Sequence, residues 1–494
     1  MVWRIRPCLL MLLFNKVRQV SDKNKPVGNS EDLGELYEES VHWHVNVGDE
    51  KIHAKRMGGR FRGYKNLVWL FWLGYLLLPF LRIGGEQVVL FDIPARQFYF
   101  FGATIYPQDI WMLSFVLILL AMMLFGITAI AGRVFCGYFC FQTVWTDWFV
   151  WIEEKIEGNP LKRRKLDKAP WNGEKIAKRS IKYLLWSAIS LVTGISFAAY
   201  FMDAYELLHD LVTFDAHIAA WVTLLLFFLG TFILAGFMRE QVCFWLCPYA
   251  RIQSVMVDRN SIIPSYDIAR GEPRGKIRKG EDSSQKGDCI DCHQCVAVCP
   301  TGVDIRDSAL QEGCIMCGLC VDACDSVMEK VDKPTGLIRY ASENEMKGQQ
   351  ESGLLKRPRV IMYIGIFVIS VAAIIYGLAN IPALEMHVVH ERQPLFVKMS
   401  DGTIQNTYTI KVLNKLPEDL NVKLIVEGID GVEVVGVPDP FTLRSTKMIP
   451  YKIRLKVQRA QMTEEKIPVS FRVVAVDDPT ITEQYKSFFA GPAR

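Results

Sequence analysis

Eight cysteines stand in two runs, Cys289-x2-Cys292-x2-Cys295-x3-Cys299-Pro300 and Cys314-x2-Cys317-x2-Cys320-x3-Cys324. Three thiolates at this spacing wrap one corner of an iron-sulfur cube, and the fourth of each run reaches the neighbouring cube. The pattern therefore predicts two [4Fe-4S] clusters that exchange their last ligands. One takes Cys289, Cys292, Cys295 and Cys324; the other takes Cys314, Cys317, Cys320 and Cys299. Two structural zinc sites would instead want four ligands grouped as two pairs. Asp325 stands where the first run has Pro300, which removes a rigid turn but no ligand.

Four further cysteines repeat one spacing. Cys136 and Cys140 lie in Gly132-Arg133-Val134-Phe135-Cys136-Gly137-Tyr138-Phe139-Cys140, and Cys243 and Cys247 in Arg239-Glu240-Gln241-Val242-Cys243-Phe244-Trp245-Leu246-Cys247-Pro248. Each segment follows an apolar stretch, so the pattern reads as a duplicated hairpin. Residues four apart share a helix face, which predicts that each pair presents two sulfurs to one spot. Soft thiolate sulfur selects Cu(I), zinc or iron-sulfur over hard cations, and Arg133 or Arg239 nearby would favour the thiolate form. An i, i+4 pair is also within reach of a strained disulfide, a redox group without metal. The plain alternative makes each cysteine a small buried hydrophobe and each arginine ordinary topology; repetition at matching places weighs against it. Phe141 follows the first motif where Pro248 follows the second, and Pro248 suits a first helical turn.

The elements that must hold these thiols follow from the apolar text. Crossing about 30 Å of hydrocarbon takes roughly 20 apolar residues, and such windows lie near 67–85, 109–131, 181–202, 217–238 and 359–382. Five spans are expected. The segments Glu86 to Asp109 and Asp203 to Asp215 are poor in Lys and Arg and should face outward. The stretch 152–182 carries Lys155, Lys162, Arg163, Arg164, Lys165, Lys168, Lys175, Lys178, Arg179 and Lys182, and Lys356, Arg357 and Arg359 precede or open the last span. Such clusters belong on the cytoplasmic side. Of the thirteen cysteines, all but Cys8 then fall at cytoplasmic span ends or in a cytoplasmic cluster domain, away from an oxidising compartment.

With 494 residues, 50% hydrophobic and 22% charged, the chain fits a mixed membrane and soluble protein of several domains. The net charge of +4 and the lack of a basic patch interleaved with aromatics argue against nucleic acid as a partner. Arg4 and Arg6 before the apolar run Cys8 to Phe14 make too short a signal peptide, without a small-residue cleavage site. The expected organisation is an irregular cytoplasmic tail over 1–66, spans one to four with both Cys-x3-Cys motifs over 67–258, a ferredoxin domain over 259–358, a fifth span over 359–382 and an outer domain over 383–494. Trp145, Trp148 and Trp151 predict an interfacial helix, an anchor rather than a cofactor stack. From about 384, "TYTIKVLN", "NVKLIVEG" and "IPVSFRVVAVD" alternate apolar and polar residues between turns, which predicts a small β-sandwich. Met386, His387 and His390 just past the last span are expected as interfacial linker residues, with outer-side copper contact as the alternative.

These residues resemble those of the FixG/RdxA/CcoG proteins, membrane polyferredoxins that accompany biogenesis of the cbb3-type cytochrome oxidase. The likeness runs from about Gly59 to the end through "VLFDIPARQFYFFG", "GRVFCGYFCFQTVWTD", "KLDKAPW", "REQVCFWLCPYARIQSVMVDR", "YDIARGEPRGK", both cluster runs and "GLIRY". The resemblance implies a multi-pass bacterial inner-membrane protein with a cytoplasmic 2[4Fe-4S] ferredoxin domain and a periplasmic immunoglobulin-like sandwich. It implies reduction of Cu(II) to Cu(I), with Cys136, Cys140, Cys243 and Cys247 as the copper or electron-exit residues. Its implied partners are oxidase subunits or copper-delivery proteins. Two other readings stand beside it: a quinol-linked electron conduit, and an assembly chaperone that holds copper or oxidase subunits. No nucleotide or flavin signature is evident, which leaves a protein or a quinol as electron donor.

Overall fold

The computed structural model describes residues 52–492, apart from 95–96, 102, 106–109, 277–285, 309–310, 312, 350–352, 381, 417, 446–447 and 463. Most of the expected N-terminal tail, 1–51 with Cys8, lies outside the described residues. Two compact units follow. One combines the described part of Met1–Phe80 with Leu120–Phe367; the other combines Leu81–Leu119 with Val368–Arg494.

Among the described residues, four helices are long and apolar enough to cross a membrane: Trp111–Ala131, Gly173–Ala198, Ile218–Met238 and Pro358–Ala379. The first expected span, near 67–85, does not meet that measure. Its helix, α1 (Arg60–Leu77), has 18 residues, about 27 Å of rise, and carries Arg60, Arg62 and Lys65 in its first turns. It begins seven residues before the expected start because an outside carboxylate caps it. Asp322 accepts from the backbone N–H of Phe61 at 2.9 Å and of Arg62 at 3.1 Å, satisfying donors that a helix start leaves orphaned. The residues before it are also engaged: Arg56 pairs with Asp147 at 3.1 Å, and the Lys55 N–H donates to Ala297 O at 2.7 Å.

After α2 (Ile110–Ala131) the chain makes a one-turn helix, α3 (Val134–Tyr138), and then α4 (Phe141–Glu157). In α4 the three tryptophans are only partly an interfacial stripe. Trp145 is wholly buried and donates from Nε1 to Thr193 Oγ1 at 2.8 Å, whereas Trp151 is 42% exposed. A spacing of three falls short of the 3.6-residue turn, so the stripe rotates from the core to the surface.

Helix α5 (Gly173–Ala198) is capped by Asn172, which accepts from the Lys175 N–H at 2.8 Å. It therefore starts well before the expected span. The basic residues of 152–182 are expected as signs of topology; two of them, Lys182 of α5 and Arg163 before it, are also fully buried against Glu153 and Glu157, with Lys182 Nζ 2.8 Å from Glu157. Buried charges demand such partners. Helix α6 (Ile218–Gly230) continues as a π-helix over Thr231–Met238 and breaks at Arg239, whose φ is 43°. Gln142 braces the break by donating to Leu234 O at 2.8 Å and Arg239 O at 3.1 Å.

Helix α7 (Pro248–Met256) follows the second thiol motif, and the ferredoxin-like part is closed by an antiparallel pair, Ile263–Tyr266 with Ile338–Ala341. Its core holds Ile290, Val296, Ile305, Met316, Val327 and Leu337, together with helix α8 (Leu319–Lys330). Helix α9 (Pro358–Ala379) is the last apolar helix.

The second unit contains a β-sandwich. One sheet runs Glu433–Val435, Met448–Gln458, Thr403–Asn414, Leu384–His390; the other runs Phe441–Leu443, Leu420–Glu427, Lys466–Ala475, Thr482–Ala490. Alternate residues face inward, so Tyr408, Val412, Leu455, Phe471, Val473 and Phe489 form one apolar core. Met386, His387 and His390 are not linker residues: they belong to the strand Leu384–His390, in register with Thr403–Asn414. Met386 lies in the core while His387 is exposed on the other side, so strand alternation keeps them from one ligand set.

Candidate thiol and iron-sulfur centre

Two narrow hollows lie inside the ferredoxin-like part. Cys289, Cys292, Cys295 and Cys324 line one. Cys299, Cys314, Cys317 and Cys320 line the other, with Cys295 also at its wall. Ligand exchange between the runs follows from α8, which carries Cys320 toward one hollow and Cys324 toward the other. The intervening loops turn through left-handed residues, Asp291, His293, Met316 and Gly318. At Gly318 a Cβ would meet the Phe61 ring at 2.8 Å, so the turn is also a close approach.

Burial pushes Cys292, Cys295, Cys299, Cys314, Cys320 and Cys324 up, Cys314 and Cys324 to about 12. Thiols held this way stay neutral until a cation binds, when coordination removes their protons. Four soft donors around an apolar hollow suit an iron-sulfur cube. Among the described residues no three His, Cys, Asp or Glu side chains stand close enough to hold a single metal ion, and the quartets are spread around hollows rather than gathered at a point as a zinc site requires.

Residues outside the cysteine pattern touch both quartets. The Thr301 hydroxyl is 3.3 Å from Cys299 Sγ. Tyr266 bonds the Cys289 sulfur and Glu272 Oε1, the latter at 3.2 Å. Arg306, buried beside Cys295, is held by Asp304 at 2.5 Å, by Asp291 at 2.7 Å and by Nδ1 of His293 at 3.0 Å. None is legible from spacing, although Thr301, Asp304 and Arg306 directly follow the Cys299-Pro300 turn.

Of the four other thiols, Cys140 and Cys247 lie within electrostatic reach of Cys136 and Cys243 but, among the described residues, no three of the four stand close enough to hold one metal ion, and they approach by a route different from the one expected. Neither pair sits on one continuous α-helix. Cys136 lies in α3 and Cys140 is the extended residue that opens α4; Cys243 lies in a π turn, Val242–Leu246, and Cys247 opens α7 ahead of Pro248. Each motif is a helix break, with its second cysteine starting the next helix. Cys136 and Cys243 both feel Cys140, Cys247 and the buried Arg133 electrostatically. Burial pushes Cys136 up to about 11 and Cys243 up to about 12, with Arg133 opposing. Arg239, expected to assist the second pair, is drawn instead to Glu153 at 2.6 Å. Gln253 on α7 accepts from Cys136 Sγ at 2.9 Å.

The second cysteine run packs directly on this thiol group. Cys136 and Cys140 share an apolar cluster with Ile315, Cys317 and Leu319. A Cβ on Gly137 would lie 2.7 Å from Ile315 O and 3.0 Å from Cys317 Cα. Tyr138 donates to Cys317 O and Tyr340 to Met316 O, each at 2.8 Å, and the Arg133 N–H donates to Met316 Sδ at 2.9 Å. The backbone of one motif thus touches the backbone of a hollow-lining cysteine.

Three family models match the chain. A 4Fe-4S dicluster domain covers residues 238–343, a 4Fe-4S binding domain covers 113–160, and the immunoglobulin-like fold at the C-terminus of FixG covers 374–492. Nitrogen fixation protein FixG of Rhizobium meliloti is 37% identical over 480 residues, which is 88% of this chain and 91% of that protein. Protein RdxA of Cereibacter sphaeroides is 40% identical over 399 residues, 77% of this chain and 83% of that protein. A crystal structure of a FixG-related protein from Vibrio parahaemolyticus overlaps 22% of this chain and 97% of its own, with 20% identity and a TM-score of 0.21. On the identity and coverage of these relatives, the chain belongs to the FixG/RdxA family of iron-sulfur membrane proteins.

Proposed function

We propose that this protein is an inner-membrane oxidoreductase that reduces Cu(II) to Cu(I) at Cys136, Cys140, Cys243 and Cys247 for assembly of a cbb3-type cytochrome oxidase. The carrying observation is the packing of Cys136 and Cys140 against Cys317, with Gly137 pressed on the Cys317 backbone. Cys289, Cys292, Cys295 and Cys324 would hold one cluster and Cys314, Cys317, Cys320 and Cys299 the other. When bound, the clusters would supply electrons one at a time. The substrate Cu(II) gains one electron and, as Cu(I), exchanges hard ligands for two thiolates, whose two protons leave for solvent. Soft sulfur stabilises the product over the substrate and so favours reduction. Arg133, buried and acting electrostatically on Cys136 and Cys243, offsets the negative charge that forms as those thiols deprotonate. In this reading the thiols and the ferredoxin part face the cytoplasm and the sandwich faces the periplasm, where oxidase subunits or copper-delivery proteins would bind.

Purified protein carrying C243S and C247S, compared with wild type for Cu(II) reduction, tests the proposal. Loss of at least tenfold in rate with unchanged cluster paramagnetic resonance is expected; undiminished reduction removes the copper role.

A second reading has one specific observation in its favour. The match described as a 4Fe-4S binding domain spans 113–160, where Cys136 and Cys140 are the only cysteines. The four thiols would then hold a further iron-sulfur centre instead of substrate copper. Iron content distinguishes the two: about eight irons per chain belongs to two cubes, and a stoichiometric excess lost in C243S belongs to a third centre.

A further inference from the structure

The C-terminal end of α2 packs on the first turns of α9, with the Phe125 and Tyr363 rings 6.1 Å apart. A cavity of about 270 Å³ opens there, walled by Ala129 of α2, Met256 of α7, and Val360 and Tyr363 of α9. Three cations face it, Lys356, Arg357 and Arg359, against one carboxylate, Asp258. That carboxylate is engaged locally, accepting from the Asn260 N–H at 2.8 Å and from the Ser261 hydroxyl at 3.4 Å. Arg357 is only 9% exposed and donates to Asn260 O at 2.6 Å, which fixes its guanidinium in the wall. Lys356 and Arg359 are exposed and enter no ion pair among the described residues. Cations at a span end are ordinary on their own; three that line one cavity, one of them buried, make a site for an anion. The helix ends bias the cavity the same way. Helix α9 starts here, and the first N–H groups of a helix carry positive partial charge. The opposing carbonyls of α2 are already taken, Ala129 O by the Ser261 hydroxyl at 2.9 Å and Ile130 O by the Ile262 N–H at 2.8 Å.

We infer that this cavity binds the phosphate of an anionic phospholipid, with Arg357 on two of the phosphate oxygens and Lys356 and Arg359 closing over the head. A planar guanidinium matches phosphate in this way, and the space is several times the roughly 30 Å³ share of one water. The lipid source follows from position. The cavity lies where two membrane-length helices end, and α9 continues from it with Ile361, Met362 and Ile364 about half exposed, a surface that acyl chains cover. Ser261 and Ile262, which bond to the end of α2, lead into the strand Ile263–Tyr266 of the ferredoxin-like part. A bound head would steady the joint between that part and the apolar helices. The inference stands apart from the copper reading and needs none of the thiols.

The test titrates the detergent-solubilised full chain with phosphatidylglycerol and follows it by native mass spectrometry, with phosphatidylcholine as the zwitterionic control and inorganic phosphate as the free anion. A first phosphatidylglycerol is expected to be held ahead of the rest, with phosphatidylcholine and phosphate each about tenfold weaker or more. Lys356→Gln combined with Arg359→Gln should weaken that first lipid about tenfold or more. Both positions are exposed, so unfolding of the lipid-free variant should match wild type. Lys165→Gln combined with Lys168→Gln removes the same charge from exposed positions of the helix Pro160–Lys168 and should leave the first lipid unchanged. Equal loss in the two double variants, or equal binding of phosphatidylglycerol and phosphatidylcholine, overturns the inference and leaves only a general attraction to a basic span end. Phosphate that binds as tightly as the lipid, or displaces it, overturns the lipid assignment.

Discussion

Replacing Gly137 with alanine puts the contact between the thiol motif and the second cysteine run to a quantitative test. The added Cβ would lie 2.7 Å from Ile315 O and 3.0 Å from Cys317 Cα, and both are backbone atoms that no rotamer change can move. Ordinary helix propensity favours alanine over glycine by about 1 kcal/mol. Forced overpacking typically costs about 1–3 kcal/mol, and a rigid backbone neighbour places this case toward the upper end. The net expectation is a loss of about 1–2 kcal/mol, together with displacement of the Ile315–Cys317 loop. Gly63 on α1 is the matched control, because a Cβ there meets nothing within 4 Å; Gly63→Ala should be neutral or slightly stabilising. Thermal unfolding in detergent reads the stability, and paramagnetic resonance of the reduced clusters reads the loop. If Gly137→Ala unfolds no earlier than Gly63→Ala and leaves the resonance unchanged, the direct packing of these two segments is refuted.

Other outcomes follow from named contacts. Asp322→Ala removes the acceptor for two N–H groups of α1 and should cost about 1–2 kcal/mol, read as faster hydrogen exchange at Phe61 and Arg62. At Asp147 burial acts to raise the carboxyl, but Lys65, Arg62 and Arg56 outweigh it and hold it below its usual value of 3.8. Its folded value is depressed, so the stability it contributes is present above about pH 4 and is lost as pH falls through the folded value. Asp147→Asn leaves the arginines and Lys65 without their shared counter-charge. It should cost about 3–5 kcal/mol at pH 7, a deficit against wild type that narrows as unfolding is followed down to pH 3.

Much of the site was legible because cysteine spacing is a local code. The two runs predict four ligands each, and each expected quartet lines one hollow. Nearness of Cys136, Cys140, Cys243 and Cys247 is also expected, but the backbone that carries them is not the one the spacing suggests. Periodicity suggested one helix face, whereas each motif breaks its helix and the second cysteine opens the next one; only a trailing Pro248 hinted at this. Charge was only partly legible. Lys182 and Arg163 look like topology signals in a one-dimensional reading, and only packing reveals Glu153 and Glu157 as their partners. The same limit hid the early start of α1, since its cap, Asp322, is 261 residues away from Phe61. Strand alternation in the C-terminal region was plain, yet the phase that sends Met386 inward and His387 outward needed the register with Thr403–Asn414.

Helix α8 carries Cys320 at the wall of one hollow, Cys324 at the wall of the other, and between them, on the opposite side, the carboxylate that fastens the start of α1. A twelve-residue rod with three attachments cannot turn at one without straining the rest. Filling either hollow would therefore bear on the other and on the root of an apolar helix, because one short helix joins all three.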